Sequence, residues 1–282
     1  YGLNEDQVFV GVGSDDVLAM SFLTFFNSDK PVLFPDVTYS FYKVWADLFK
    51  VPFETPVLKE DFTIDVKDYE KENGGVIFPN PNAPTGVYMP LDQVEEILKA
   101  NQDVVVIVDE AYVDFAGPSA LELLDKYENL LVVQTFSKSR SMAGMRIGFA
   151  MGHPDLIRAL NDVKYSYNSY TMNLPSLLAG VEAVKDKEYF EKTIEKIVAT
   201  REHAKKRLTE LGFTFPNSQS NFIFASHKSV PAEKIFEALK KEQIYVRYFK
   251  TPGLDNSLRI SIGTDEEMDT LFRFLEAYLP NA

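Results

Sequence analysis

Over the first 150 residues, short runs of consecutive apolar residues alternate with amphipathic stretches. The runs predict strands at Val8–Gly11, Val32–Pro35, Val51–Thr55, Val76–Phe78, Val104–Val108, Leu130–Thr135 and Ile147–Met151. Val104-Val105-Val106-Ile107-Val108 shows no polar alternation, which is the pattern of a strand covered on both faces. Helices are predicted at Asp15–Phe26, Ser40–Phe49 and Leu91–Ala100. Strand and helix in turn predict an open, mostly parallel α/β sheet, whose ligands bind beyond the carboxyl ends of the strands.

Beyond residue 155 the pattern changes. A long amphipathic helix is expected over Lys187–Leu211, with Gly212 as its stop. A strand at Asn221–Ala225, a helix at Ala232–Lys241, strands at Ile244–Tyr248 and Leu258–Ile262, and a helix at Asp265–Tyr278 follow. The expected organisation is a large α/β domain over residues 1–180 and a smaller α+β domain over 181–282.

Composition narrows the function. Apolar residues make up 45% of the 282 residues, enough for one large core and a smaller one. A net charge of −13 disfavours nucleic-acid binding, which needs basic surface. With no cysteine and three scattered histidines, neither disulfides nor a metal site is expected. No apolar run reaches the ~18 residues of a membrane span. The chain opens at Tyr1 without a methionine, and Tyr1–Asn4 reads as the end of a helix entering a loop, so a preceding segment is expected.

The chemistry concentrates at predicted strand ends. Lys138 lies in Ser137-Lys138-Ser139-Arg140-Ser141-Met142-Ala143-Gly144-Met145-Arg146, after the strand at Leu130. Such a lysine is either a solvated surface charge or an amine that forms a Schiff base with an aldehyde, while Ser137 and Arg146 suit a phosphate. Arg140 or Arg146 nearby would favour the neutral amine. Asp109, at the end of the most apolar strand, needs a cation or several hydrogen bonds. It either holds a protonated pyridine nitrogen, with Tyr112 close by, or caps the next helix or binds a magnesium ion. Gly11-Val12-Gly13-Ser14-Asp15-Asp16 opens a helix, as a phosphate cradle or an ordinary N-cap. Tyr39 could stack on a flat ring or pack on the core. Asn80-Pro81-Asn82-Ala83-Pro84-Thr85-Gly86 is a stiff loop able to aim an amide. Arg247 and Arg259, inside apolar strands, are either outward-facing or directed at an anion.

Taken in order, Gly-Ser-Asp-Asp, Pro-Asp-Val-Thr-Tyr, Asn-Pro-Asn-Ala-Pro-Thr-Gly, Asp-Glu-Ala-Tyr, Thr-Phe-Ser-Lys, Gly-Met-Arg-Ile-Gly and Leu-Arg-Ile-Ser-Ile-Gly span the chain. The set resembles the fold-type I transferases dependent on pyridoxal 5'-phosphate (PLP), and among them the histidinol-phosphate aminotransferase family.

The resemblance implies the following roles. Lys138 bonds the cofactor and shuttles the proton; Asp109 pairs with the pyridine nitrogen; Tyr112 meets the ring oxygen; Tyr39 stacks on the ring. Ser14 and Asp15, through backbone amides, hold the phosphate with Ser137 and Arg146. Arg259 takes a substrate carboxylate and Arg247 the far anionic end, with Tyr167 and Asn168 beside the site. It further implies a cytoplasmic homodimer that moves the amine of L-histidinol phosphate to 2-oxoglutarate. An aromatic aminotransferase, a PLP-dependent decarboxylase of a phosphorylated amino acid, or a PLP-binding regulator are the rival readings. Two departures stand out. The family's commonest loop has asparagine where this chain has Ala83, and Asn82 is expected to supply the missing amide. The family's amino-terminal Arg-Tyr-Pro-type turn has no counterpart here.

Overall fold

The computed structural model describes residues 1–282, the side chain of Asn281 excepted. Seven strands form the larger sheet: β1 (Val8–Gly11), β2 (Val32–Leu33), β3 (Phe53–Glu54), β4 (Gly75–Pro79), β5 (Val106–Asp109), β6 (Leu130–Thr135) and β7 (Gly148–Gly152). Their order is β1-β7-β6-β5-β4-β2-β3. The pairings β2–β3, β2–β4, β4–β5 and β5–β6 are parallel, and β7 runs antiparallel to both β1 and β6. Every residue of β4, β5 and β6 is buried, which is why these strands read as unbroken apolar runs. Alternate side chains feed two cores. Ile77, Ile107, Leu131 and Val133 join α1 (Ser14–Phe25), α2 (Phe41–Phe49) and α4 (Pro154–Tyr167). Val76, Phe78, Val106, Val108 and Val132 pack on α3 (Leu91–Ala100).

Several boundaries move from their expected places. β2 ends at Leu33, before Pro35, and β3 is only Phe53–Glu54, because the Val51 amide instead closes α2 on the Ala46 carbonyl. β5 starts at Val106, since the Val104 amide turns back to Asn101, and it extends through Asp109. Asp109 is therefore the last residue of a buried strand rather than the first residue after it.

α4 and α5 (Leu174–Lys185) were not foreseen. In α5 Leu174, Leu177, Leu178, Val181 and Val184 are exposed, so its apolar stripe does not mark a core face. α6 (Lys187–Glu210) matches the expected long helix, and Gly212, at φ +84°, follows in the left-handed region. The smaller sheet has the order β10-β11-β9-β8, all antiparallel, from β8 (Phe213–Thr214), β9 (Phe222–His227), β10 (Arg247–Tyr248) and β11 (Leu258–Ser261). Ile223, Ala225, Leu258 and Ile260 pack there against α6, α7 (Ala232–Lys241) and α8 (Asp265–Tyr278). The strand expected at Ile244–Tyr248 is shorter because the Ile244 amide caps α7 through the Leu239 carbonyl.

Arg201 of α6 locks the two sheets together. It is buried, and its guanidinium donates to the carbonyls of Phe115 at 2.8 Å and Ser220 at 3.1 Å. Ala83, Tyr112, Phe115 and Phe222 form a small apolar cluster beside it. Replacing Arg201 with Met keeps the volume but strands two buried carbonyls, each worth roughly 1–3 kcal/mol. Arg201→Met is expected to lower unfolding stability by about 3 kcal/mol, read as a lower chemical-denaturation midpoint at unchanged slope.

Candidate active site

The sheet's register decides what surrounds Asp109. Pro79 and Val133 pair with it on either side. The loop from Asn80 therefore leaves the sheet on one flank, and the loop carrying Lys138 leaves on the other. The Asn80 amide donates to the Asp109 carbonyl at 2.8 Å, which ties the first loop to the strand end.

Asp109 itself is buried. Its Oδ2 accepts from the Tyr42 hydroxyl at 2.8 Å, and its Oδ1 accepts from the Ala111 amide at 3.2 Å. Burial pushes its carboxyl up to about 6, the two hydrogen bonds and the Lys138 charge resist that, and Asp15 adds to it. Its neighbour Glu110 is buried too and accepts from Ser119 Oγ and the Ala120 amide, both at 2.6 Å, and from Gln134 Nε2 at 2.9 Å. Burial raises Glu110 to about 7.

Lys138 is half-buried, with Nζ 5.2 Å from the centre of the Tyr112 ring. Its loop is anchored at both ends. The Thr135 hydroxyl bonds the Ser137 hydroxyl at 3.0 Å and receives the Ser137 amide at 3.1 Å, while Ser139 Oγ donates to the largely buried Asp114. Arg140 is committed elsewhere: it donates to the Ala183 carbonyl at 2.7 Å and lies 4.0 Å from the Phe190 ring. Of the two arginines expected near the lysine, Arg140 turns to Ala183 and Phe190, and Arg146 turns toward Gly13 at the start of α1.

Arg146 adopts a left-handed φ of 52° and lies against the start of α1. Gly13, at φ +90°, makes room for it, because a Cβ there would come within 2.3 Å of the guanidinium. A Cβ on Gly148 would lie 2.2 Å from the Ser14 nitrogen, so this whole corner is built on close backbone approach. The result is a cleft with a cation beside the free amides of a helix start, as a phosphate requires. The Asp15 carboxylate accepts from the Tyr39 hydroxyl at 2.9 Å, and burial together with Asp15 raises that hydroxyl above its ordinary range.

The Asn80–Gly86 loop behaves differently from expectation. Asn80 is structural, exchanging hydrogen bonds with the Met89 backbone at 2.7 and 3.0 Å. Asn82 Nδ2 donates to the Val37 carbonyl at 2.9 Å and the Thr85 hydroxyl at 3.0 Å, leaving Oδ1 buried without a partner. Both amide protons of Asn82 are thus engaged by the protein.

The second sheet completes the cleft. Arg247 and Arg259 pair directly across β10 and β11, and each guanidinium lies over the Phe249 ring, at 5.5 and 5.9 Å. Arg259 also covers Phe222 at 5.0 Å, and Phe222 meets Tyr112 edge to face at 5.1 Å. The path Lys138–Tyr112–Phe222–Arg259 is continuous. Like charges opposed on a sheet repel, and Arg259 Nε is buried with no partner, an arrangement that suits an anion. Tyr167 and Asn168 take no part in these contacts. They end α4 at the surface, with Tyr167 77% exposed.

Sequence reasoning missed Tyr42. It is one helical turn beyond Tyr39, at a position that reads as ordinary core of α2, and only the register of α2 against β5 reveals its hydroxyl on Asp109.

The residues present fit PLP. The Gly13 cleft with Arg146 suits its phosphate, the buried Asp109 its pyridine nitrogen, and the half-buried Lys138 its aldehyde, while Asn82 Oδ1 and Arg259 Nε are buried without a partner among the described residues.

The family model for class I and II aminotransferases matches residues 2–275. A histidinol-phosphate aminotransferase from Brachyspira hyodysenteriae is 50% identical over 282 residues, all of this chain and 80% of that protein. One from Clostridium acetobutylicum is 55% identical over 268 residues, covering 95% of this chain and 76% of that protein. The crystal structure of the Sinorhizobium meliloti histidinol-phosphate aminotransferase in complex with pyridoxal-5'-phosphate superposes with a TM-score of 0.87, over 99% of this chain and 77% of that one. At 23% identity the latter likeness is one of fold. Sharing its fold with these enzymes and half its residues with the first two, the chain belongs to the class I and II aminotransferases and, among them, to the histidinol-phosphate aminotransferase family.

Proposed function

We propose that this chain transfers the amino group of L-histidinol phosphate to 2-oxoglutarate at the cleft between its two sheets. The observation that carries the reading is the opposed Arg247–Arg259 pair on the same aromatic path as Lys138. The donor brings a phosphate and no α-carboxylate, and the acceptor brings two carboxylates. Two arginines facing one cleft serve both, because each ligand presents an anion.

PLP, the cofactor of this family, supplies when bound the electron sink that lets the substrate's Cα proton leave. The chain does the rest. Ser14 and Asp15, through their amides, hold the phosphate with Ser137 and Arg146. Asp109 keeps the pyridine nitrogen protonated, and Tyr39 covers one face of the ring. The Tyr112 hydroxyl donates to the ring oxygen, since both protons of Asn82 already serve Val37 and Thr85. Asn82 lends its unpartnered Oδ1 as an acceptor. Lys138 would hold the aldehyde and move the proton that leaves the substrate's Cα. Arg259 binds the nearer substrate anion and Arg247 the farther one.

The reading divides the chain into a cofactor domain, residues 1–180, and a smaller domain, residues 181–282, with α5 and α6 at the junction. It also takes the enzyme to be a homodimer. Two exposed apolar rows support this: Leu174, Leu177, Leu178, Val181 and Val184 on α5, and Phe41, Val44 and Leu48 on α2. Tyr167 and Asn168 lie just before the first row, where a second copy would bring them to a substrate. No helix among the described residues is long and apolar enough to cross a membrane. A phosphorylated donor does not cross membranes unaided, and on this reading the enzyme would work beside it in the cytoplasm.

Three outcomes test the reading. Lys138→Ala should cut turnover by at least ~10²–10⁴, the usual range for a lost general base, and borohydride should fix the cofactor to the parent but not to the variant by intact mass. Arg247→Leu should raise the KM for histidinol phosphate far more than that for phenylalanine, in a donor panel with 2-oxoglutarate. Equal losses would favour an aromatic aminotransferase, and carbon dioxide release without a keto acid would favour a decarboxylase.

The third outcome is a pH dependence. Burial raises Asp109 from 3.8 to about 6 and Glu110 from 4.5 to about 7. Groups raised in this way favour the folded chain fully below their unfolded values and lose that contribution as pH rises through 6 and 7. Cofactor affinity runs the opposite way, because the pyridinium needs ionised Asp109. Below pH 6 the Kd for PLP should rise toward about tenfold per pH unit. Asp109→Asn should flatten that slope, weaken binding at pH 8, and raise the melting temperature of the cofactor-stripped chain at pH 8.

A further inference from the structure

The carboxylate that receives the pyridine nitrogen does not stand alone. Tyr42, the second residue of α2, is fully buried, and its hydroxyl donates to Asp109 Oδ2 at 2.8 Å. Its ring is boxed by Phe22 at 6.4 Å, Phe34 at 5.9 Å, Trp45 at 6.2 Å and Tyr39 at 5.7 Å. The box leaves the phenol one direction in which to donate, and that direction is Asp109.

The other groups facing Asp109 do not do the same work. From α1, Asp15 repels its charge, and from the loop after β6, Lys138 attracts it. Tyr39, on the same turn as Tyr42, gives its hydroxyl to Asp15 instead. Tyr112 stands toward Lys138 and Phe222. The Ala111 amide, at 3.2 Å, serves the other oxygen. Among the described residues Tyr42 is therefore the one side chain that hydrogen-bonds the carboxylate. Burial and the neighbouring Asp109 hold its own proton far above the ordinary tyrosine range, so it donates throughout the working pH range.

We propose that Tyr42 is a positioning residue for transamination, whose hydroxyl keeps Asp109 ionised and turned toward the pyridine nitrogen of the cofactor. The inference rests on the pairing of Asp109 with that nitrogen. The entry to α2 then does two jobs: Tyr39, just before the helix, would cover the ring, and Tyr42, in its first turn, would hold the carboxylate that meets the nitrogen. The hydrogen bond counters the Asp15 charge and the apolar surroundings, which together drive the carboxyl toward its neutral form.

The test is PLP titration of the full chain, followed by absorbance from pH 5 to 8.5, in the parent, Tyr42→Phe, Asp109→Asn and the double variant. Tyr42→Phe keeps the ring and its packing and removes one oxygen. It should weaken PLP binding at pH 5 by roughly ten- to hundredfold, the range for a hydrogen bond to a charged group, and far less at pH 8, where the carboxyl is ionised in both proteins. The midpoint of the acid-side loss of affinity should move up from about 6 toward neutrality. In the Asp109→Asn background, Tyr42→Phe should cause no further loss, since the charge it serves is gone. An unchanged midpoint, or an equal loss in both backgrounds, overturns the role of Tyr42 and leaves that of Asp109 intact. If Asp109→Asn alone leaves affinity unaltered, the Asp109 pairing fails and the inference falls with it.

Discussion

A carboxylate sealed at the end of a dry strand is the constraint around which this site is arranged. Every other residue of β5 is apolar and buried, and Asp109 closes the strand with burial pushing its carboxyl up to about 6. Left alone it would take a proton at mildly acid pH and be useless to a cation. The phenol of Tyr42, the Ala111 amide and the charge of Lys138 oppose that. These partners come from α2, from the turn after β5 and from the loop after β6, so the carboxylate's state depends on three separate elements being in register. A slip of one residue in β5 would turn Asp109 to the α3 face and bring Val108 to the cofactor.

Much of this was legible in the chain, for a physical reason. Buried parallel strands need unbroken apolar runs, and such runs end where the chemistry begins. The run ending at Val108 pointed to Asp109, and the one ending at Thr135 pointed to Ser137 and Lys138. The Gly11–Asp16 turn by itself reads equally as a phosphate cradle or an ordinary N-cap, and only the family resemblance joined it to Arg146. What the chain hid were contacts between elements. Tyr42 is one aromatic among several on α2, and nothing local separates a core tyrosine from one that donates to a carboxylate. The protons of Asn82 are claimed by Val37, 45 residues away, and by Thr85, and no local pattern announces a long-range acceptor. α5 escaped notice because its apolar stripe faces outward, so it does not contrast with a buried face.

The second sheet poses a different problem. Placing two arginines opposite each other on adjacent strands costs electrostatic energy, and the protein offsets this with aromatic faces rather than carboxylates. Phe249 lies under both guanidinium groups and Phe222 under Arg259. A carboxylate partner would have neutralised the pair and competed with the substrate. An aromatic face supports the charge without satisfying its hydrogen bonds, and the unpartnered Nε of Arg259 is left over as a result. On the proposed reading, that leaves the pair free for a phosphate or a carboxylate.

The two halves of the site work together only if the arginines hold a fixed distance from Lys138. That distance is set by packing, not by the chemistry itself. Phe222 stands edge-on to Tyr112 at 5.1 Å, and Tyr112 lies beneath Lys138 Nζ at 5.2 Å. One residue chain outside the cleft keeps this stack in place: the Gln219 amide bonds the Gly86 carbonyl at 2.8 Å, and Arg201 grips the carbonyls of Phe115 and Ser220. Gly86 belongs to the loop that flanks Asp109, and Phe115 follows Tyr112 by three residues. The ties between the sheets are thus attached to the same loops that carry the cofactor contacts. On the proposed reading, a substrate anion seated between Arg247 and Arg259 would for that reason be measured against the lysine and the carboxylate through a rigid path a few residues long, and this rigidity would let one pocket align two substrates of different shape on the same nitrogen.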